Sequence, residues 1–457
     1  MRYLILLAPF VAALIALRMR DRLTAMLVFF VYLSVEGFLK LVANYHPVIH
    51  IGVDIVLWIV VAAWVAVALL QRRSRLPHVP FFMLLAFHVV WVVLLVFSPY
   101  TASLFVGVAS WKVHLSMIPL YFIGYLVAAD QDAPRRFMRV LTIFWCGAFA
   151  ITVLQYVGGP GGLLDLGQPY MSRLAHFHEW RPFGTTALPG GEAVFALVAL
   201  PFALCLALRG DYSMRNPWII VTLVGSLVVF FISGGRQVFL GSLIVVLTML
   251  GLQLLRGRGR AAATLVALVV VGGSSWLVVR EYLLPEAQQA LEEATGIPDI
   301  WRERSTVERF ETLLEASTYA EARRGGFGMI WDRATAFPFG AGLGRTGSAA
   351  SALGEQLTQD RLGRMIQERY GFQDNFFAAM LVETGIPGTV LLTTIVVGLG
   401  FLALRLARRA PNPQDSAFGA MVTGYVMAIL VMSWGSQPLL ANPTLPFFWF
   451  LVGMASR

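Results

Sequence analysis

Residues 217–255 read PWIIVTLVGSLVVFFISGGRQVFLGSLIVVLTMLGLQLL, two apolar runs joined by the short sequence SGGRQ. Each run has the length, about 17 to 25 residues, that a helix needs to cross a hydrocarbon core of roughly 30 Å. Neither run alternates like a transmembrane barrel strand, and lipid offers the backbone no hydrogen-bond partners. The stretch therefore predicts two membrane-spanning helices with a tight turn at residues 233–237.

Runs of this kind recur along the whole chain. Of its 457 residues, 58% are hydrophobic and 13% charged, and the mean hydropathy is +0.71, far above that of soluble globular proteins. We predict an all-α polytopic membrane protein with about 12 to 14 transmembrane helices. The predicted spans are 3–17, 23–39, 51–70, 80–97, 113–129, 137–157, 188–208, 217–233, 238–255, 261–279, 376–404, 416–437 and 439–455.

Basic residues lie mainly in short clusters between the apolar runs, although the net charge of +9 could also suit nucleic-acid binding. Such clusters mark cytoplasmic turns, since Lys and Arg near helix ends stay on that side. We therefore expect a lipid bilayer and no nucleic acid as partner, and a cytoplasmic C-terminus. The outward connections are then 40–52, 98–112, 158–189, 233–237 and 280–375.

The chain divides along its length into three predicted parts. Residues 1–279 would hold ten helices and the outer loop 158–189, residues 280–375 a small helical outer domain, and residues 376–457 the last helices. The first apolar stretch, residues 3–17, is predicted to be a retained helix and not a cleaved signal peptide. The reason is that no small-residue cleavage site occurs between this stretch and the basic cluster at residues 18–22. Cys146 and Cys205 both fall in apolar runs, so no disulfide framework is predicted.

Arg236 lies in SGGRQ with apolar sequence on both sides. Inserting an arginine into the membrane costs about 2.5 to 3.5 kcal/mol of free energy at mid-membrane and less near the interface. Its planar guanidinium could make bidentate bonds to a diphosphate at headgroup level, and the neighbouring glycines leave the backbone open to a ligand. The alternative is a structural role, in which the Arg236 side chain extends to the membrane interface and anchors the helix there.

The outer segments contain further candidates. Arg324, Arg333 and Arg345 could help to bind an anionic ligand, although a solvated salt bridge is the alternative for each; Arg345 is favoured because it lies in the glycine-rich stretch PFGAGLGRTG, residues 338–347. A second group, in the loop after residue 158 and at the start of the helix predicted from residue 376, offers proton acceptors and further substrate contacts: His176, His178, Arg181, Asp374 and Asn375.

The role of Asp374 has two interpretations, a cap on the helix that follows it or a base at a reaction centre. His176 and His178 are rival bases, with hydrogen-bonded structural histidines as the alternative. Glu36 and Lys40 are one helical turn apart and can form an ion pair, which is either functional or structural. No metal-binding motif and no Walker-type phosphate loop occurs in the sequence, so we expect metal-independent chemistry without cofactors and no ATP-driven pump.

Four stretches in this order resemble the O-antigen ligase/polymerase superfamily, which comprises the Wzy-type polysaccharide polymerases and the lipopolysaccharide O-antigen ligases. They are RPFGTTALPGGEAVFA from Arg181, SGGRQVFLGSLI from Ser233, PFGAGLG from Pro338 and DNFFAAMLVETGIPG from Asp374. Ligases of this family typically have a histidine where this chain has Asp374, and the family's second arginine, close before a tryptophan, has no match at the usual spacing. Both departures favour a polymerase.

The resemblance implies a glycosyltransferase of the bacterial inner membrane with its active site facing the periplasm. It would join undecaprenyl-diphosphate-linked oligosaccharides into an exopolysaccharide or O-antigen, with other polysaccharide-assembly proteins as further partners. Arg236 would bind the donor diphosphate and Asp374 would be the base. The alternatives left open are an O-antigen ligase that transfers the glycan to lipid A core or protein, and a transporter or flippase of the same lipid-linked sugar.

Overall fold

The computed structural model describes residues 2–70, 78–158, 181–186, 190–210, 216–233, 235–257, 328, 330–346, 375–440 and 442–457. All regular structure in these residues is helical, as predicted. The helices are α1 Arg2–Ile5, α2 Ala8–Arg18, α3 Arg22–Val42, α4 Pro47–His50, α5 Gly52–Leu70, α6 Phe82–Val96, α7 Leu104–Leu115, α8 Pro119–Val127, α9 Ala133–Gly158, α10 Glu192–Leu208, α11 Pro217–Ser233, α12 Arg236–Leu255, α13 Phe376–Arg409, α14 Pro413–Met432 and α15 Thr444–Ala455.

The described helices are those of a multi-pass membrane protein. Six of them, counting the consecutive helices α7 and α8 as one span, are long and apolar enough to cross a bilayer, and six more are apolar but shorter. The long spans are Arg22–Val42, Leu104–Val127, Ala133–Gly158, Gln237–Leu255, Phe376–Arg409 and Pro413–Met432. The predicted span 261–279 and most of the predicted outer domain 280–375 lie outside the described residues.

Two predicted spans differ most from the structure. The first predicted span, 3–17, consists of the separate helices α1 and α2, and Pro9 lies in the first turn of α2, where a missing N–H is tolerated. The fifth helix begins at Leu104 and not at residue 113, because the Ser103 side chain caps it by accepting the Val106 N–H at 3.2 Å.

The chain forms two compact units that each combine distant parts of the sequence. The first contains residues 1–75, 130–314 and 411–421, and the second contains residues 76–129, 315–410 and 422–457. In the first unit α10 is buried along almost its whole length, and α9, α11 and α12 pack against it. Small and aromatic side chains fill the space between these helices. The centroid of the Trp145 ring lies 5.8 Å from the ring centroids of Phe195 and Phe202. The first residues of α10 are therefore held in the middle of a helical bundle.

The second unit is built on a close crossing of α8 and α15. A Cβ atom added at Gly124 would lie 2.3 Å from the Phe450 carbonyl oxygen, and one added at Gly453 would lie 2.2 Å from the Tyr121 oxygen. Small residues at membrane helix crossings allow backbones to approach in this way. Helices α6, α7 and α13, residues 422–432 of α14 and the helical residues 330–336 also belong to this unit.

Within each unit, contacts join helix ends that the charge pattern predicts to lie on the same side of the membrane. In the first unit the Arg209 guanidinium donates to the Gln414 carbonyl at 3.4 Å, and both residues belong to predicted cytoplasmic turns. In the second unit the Asn375 amide donates to the Trp434 carbonyl at 3.2 Å, and both residues belong to predicted outer ends. Helix ends assigned to one side therefore meet each other.

Candidate anion-binding site

A short turn before α10, residues 183–186, is held by three helices of the first unit. Glu192, which is fully buried at the start of α10, accepts the Thr185 N–H at 2.8 Å and its hydroxyl at 3.1 Å. Gln155 of α9 accepts the Gly184 N–H at 2.7 Å, and the Phe38 N–H of α3 donates to the Thr185 carbonyl at 2.8 Å. The backbone of this turn is therefore fixed in place although it has no regular structure.

Arg181 stands just before this turn, beside the end of α11. Gly190, which has a φ of 70°, leaves no room there: an added Cβ would lie 2.6 Å from the Ser233 carbonyl oxygen and 3.4 Å from the Arg181 Cδ. In the first turn of α10, the Ala193 Cβ would lie 3.0 Å from a Cβ added at Gly235. The structure thus brings together two stretches that carry the resemblance, RPFGTTALPGGEAVFA and SGGRQVFLGSLI.

Two helices begin at this point. The caps of α10 and α12 are Gly191 and Gly235, and neither supplies a side-chain hydrogen bond to the first turn. The first N–H groups of a helix carry partial positive charge and attract anions. At α10 the Glu192 carboxylate already lies in the first turn, so the start of α12, whose first residue is Arg236, is the better candidate for an anion site. Arg181 lies beside the same place, since its Cδ is close to Gly190.

The second unit docks its glycine-rich loop into a break in α13. At Gly385 the backbone is non-helical, with φ 69° and ψ −172°, and Pro387 follows. The Ile386 N–H donates to the Pro338 carbonyl at 2.9 Å, and the Ala341 N–H donates to the Val382 carbonyl at 2.6 Å. The loop therefore satisfies peptide groups that the break would leave unpaired in lipid.

Arg345 holds this loop against the turn between α6 and α7. Its Nε donates to the carbonyl oxygens of Tyr100 at 3.1 Å and Ala341 at 3.4 Å, and its Nη2 also donates to Tyr100. Arg345 is only 7% exposed and Arg333 is fully buried, so neither side chain is solvated, contrary to the alternative considered for them. The described contacts of Arg345 position the loop, and its predicted contact with a ligand stays a prediction.

A buried polar cluster lies under the loop, and the sequence analysis missed it. The Glu383 Oε2 is 2.8 Å from the His114 Nε2, and its Oε1 accepts the Thr346 N–H at 2.8 Å. His88 is fully buried, and neither of its ring nitrogens has a hydrogen-bond partner within the described residues. A lone glutamate and two histidines inside apolar runs were the available signal, because ionisable groups within membrane helices are rare and usually functional.

Asn375, predicted to bind substrate, is the cap of α13. Its Oδ1 accepts the Ala378 N–H at 3.1 Å and its Nδ2 donates to the Trp434 carbonyl. The capping role considered for Asp374 therefore belongs to its neighbour. Asp374 lies outside the described residues, as do His176, His178 and Arg324, and the Arg236 side chain is not described; their predicted roles stay predictions. The ion pair of Glu36 and Lys40 is confirmed within α3, at 2.9 Å.

Comparison of the chain with protein-family models and with curated proteins finds no match.

Proposed function

We propose that this membrane protein is a metal-independent glycosyltransferase that joins lipid-diphosphate-linked oligosaccharides, as the sequence resemblance implies. The observation that supports the proposal best is the meeting of Arg181, the Ser233 carbonyl and the start of α12 around Gly190. Two arginines and an uncapped helix start at the end of apolar helices suit a ligand that is anionic at the membrane surface and apolar below it.

The diphosphate is the part of such a substrate that this site would stabilise. In the proposed reaction a sugar hydroxyl oxygen of one oligosaccharide attacks the anomeric carbon of the other. The bond from that carbon to the diphosphate oxygen breaks, the diphosphate leaves with the electron pair, and the hydroxyl proton passes to a base, for which Asp374 is the candidate. Preorganised N–H and guanidinium donors that face the leaving oxygens would lower this barrier.

The first experiment compares Arg181→Ala and Arg236→Ala with the unchanged chain in cells that make the polymer. We expect each substitution to reduce polymer by about 10²-fold or more, the effect of removing one donor to a developing oxyanion. Arg256→Ala is the matched control, since Arg256 caps the opposite end of α12. Polymer of unchanged length and yield in Arg236→Ala, with normal membrane insertion, would reject the proposal.

The intermediates that accumulate separate a polymerase from a ligase. Inactive polymerase leaves single lipid-linked repeats, whereas inactive ligase leaves long polymer on the lipid carrier. We expect single repeats in Arg236→Ala. Long lipid-linked polymer would instead favour transfer to lipid A core or protein.

The break in α13 supports a second candidate function, transport of the lipid-linked sugar. Helices interrupted at Gly and Pro and lined by buried ionisable groups are typical of transporter binding sites, and Gly385, Pro387 and the buried His114–Glu383 pair combine these two features. Purified protein in liposomes distinguishes the two functions. Elongation of lipid-linked repeats without an ion gradient supports the glycosyltransferase, and movement of unextended substrate across the bilayer supports the transporter.

A further inference from the structure

The buried pair of His114 and Glu383 connects three separate parts of the second unit. His114 lies on α7, and Glu383 lies on α13 two residues before the break at Gly385. The Glu383 Oε1 accepts both the N–H of Thr346, at 2.8 Å, and its hydroxyl, at 3.0 Å, so the same carboxylate holds the end of the glycine-rich loop. Docking of the loop therefore depends on the hydrogen bonds and the charge of one buried carboxylate.

The geometry limits where protons can lie on this pair. The Thr346 N–H can only donate, so the Glu383 Oε1 carries no proton while the loop is docked. The Oε2 lies 2.8 Å from the His114 Nε2, and one proton must lie between these atoms, since two acceptors at that distance would repel each other. A second proton can then enter only at the His114 Nδ1, which is buried and has no hydrogen-bond partner among the described residues. Its uptake converts a buried negative charge into a neutral ion pair.

Other charged groups lie on the elements around the pair, but His114 is the described residue that contacts the Glu383 carboxylate and can carry a positive charge. Helix α15, which packs on α13, has no titratable side chain. His88 is close enough to His114 for the charges of the two rings to interact. The titratable and charged groups on the described elements nearby are His88 on α6, Lys112 on α7, and Asp332, Arg333 and Arg345 in the segment that carries the loop.

We propose that the His114–Glu383 pair is a proton-binding latch for the glycine-rich loop. The latch is tighter when His114 carries its second proton, because the imidazolium and the carboxylate then form a charge-assisted pair and no net charge stays buried. The side chains of this pair are 1% and 4% exposed, so opening of the loop gives water access to them. This latch is independent of the proposed glycosyltransferase reaction.

The direction of the pH dependence follows from counting protons in the two states. A histidine in water gains its second proton only at about pH 6.5 and below. Above that pH the docked loop, with its neutral ion pair, binds one proton more than the opened loop. Docking therefore strengthens as the pH falls toward this value and weakens as the pH rises. The loop belongs to a predicted outer connection, so the latch would respond to the pH outside the membrane.

Hydrogen exchange of the purified full chain, measured by mass spectrometry between about pH 8 and pH 6.5, tests the latch in the range where free histidine is mostly uncharged. The readout is the protection of the Ala341 and Thr346 amides, which donate to Val382 and Glu383, after correction for the intrinsic pH dependence of exchange. We expect this protection to rise by up to about tenfold for each unit that the pH falls. The amides of α15 are the internal reference and should change little.

Two substitutions prevent uptake of the second proton while they keep a side chain that forms hydrogen bonds. Glu383→Gln retains an acceptor for the Thr346 N–H, and His114→Gln retains a donor to Glu383. In both variants the loop should still dock, but its protection should no longer depend on pH. His78→Gln is the matched control, because His78 is exposed and belongs to the same unit. It should show the full pH response.

The proposal is wrong if the protection of Ala341 and Thr346 in the unchanged chain stays constant over this pH range. A full pH response in Glu383→Gln and in His114→Gln would also overturn it. An equal change in the amides of α15 would show that pH acts on the stability of the whole unit and not on the latch. Unprotected α15 amides at every pH would mark a variant as misfolded, and the other variant then decides.

Discussion

At the scale of single residues, buried polar groups decide where loops lie. Glu192 is the clearest case: a fully buried carboxylate that satisfies both the N–H and the hydroxyl of Thr185 and so fixes the turn that follows Arg181. A buried donor that loses its acceptor costs more free energy than the hydrogen bond contributed. The position of Arg181 therefore depends on a residue that is not itself expected to touch substrate.

We predict that Glu192→Ala lowers the free energy of unfolding by about 1 to 3 kcal/mol for each donor left unpaired. Glu192→Gln keeps one acceptor oxygen and should lose less. Thermal denaturation of the purified protein, followed by size-exclusion chromatography, measures both variants. If Glu192→Ala unfolds at the temperature of the unchanged chain, the carboxylate does not hold the turn.

At the scale of elements, the break in α13 gives the glycine-rich loop its place. The conformation of Gly385 is one that residues with a Cβ rarely adopt, and an added Cβ would lie 2.4 Å from the Phe339 carbonyl carbon. Because that contact is with backbone, a side chain cannot move aside to relieve it. The break and the loop are therefore one structural feature made from two distant parts of the chain.

Gly385→Ala should destabilise the protein by at least about 2 kcal/mol, through backbone strain and through the clash with the loop. Gly147→Ala is its control, because Gly147 lies within α9 and a Cβ there meets nothing within 4 Å. That change should be neutral or stabilise by up to about 1 kcal/mol. Thermal denaturation of both variants provides the comparison, and equal effects at the two positions would contradict the docked loop.

The crossing of α8 and α15 provides a second test among elements. Gly453→Leu should separate the helices, since even a Cβ there would lie 2.2 Å from a carbonyl oxygen. We expect a lower unfolding temperature and reduced yield of folded protein. Gly251→Leu in α12, where a Cβ meets nothing within 4 Å, should leave both quantities near their normal values. Loss of folded protein in both variants alike would show that leucine, and not the crossing, is responsible.

At the scale of the whole molecule, the sidedness of the connections is the quantity to measure. Both native cysteines are buried, so a single-cysteine series can be built after replacing Cys146 and Cys205. A membrane-impermeant maleimide added outside intact cells should label Ile51→Cys and Tyr100→Cys. It should reach Gln131→Cys and Gln414→Cys only after the membrane is opened. The opposite pattern would reverse the predicted orientation and remove the proposed function with it.

The sequence by itself determined the helical class, the approximate spans and their predicted sidedness. These properties depend on contiguous residues, because membrane insertion responds to the summed apolarity of a run and to the charges at its ends. The arginine-bearing turn was also visible: α11 ends at Ser233 as predicted, and α12 begins at Arg236, two residues before the predicted start at 238.

Only the tertiary structure decided which distant residues meet. The contact of Gly190 with Ser233, the docking of Ala341 on Val382 and the pair of His114 with Glu383 each join residues far apart in the chain. Their spacing carries no local signal, and lipid-facing and core-facing positions are equally apolar in such helices. Close packing and the need to pair every buried donor selected these contacts, and both act only when the helices have assembled.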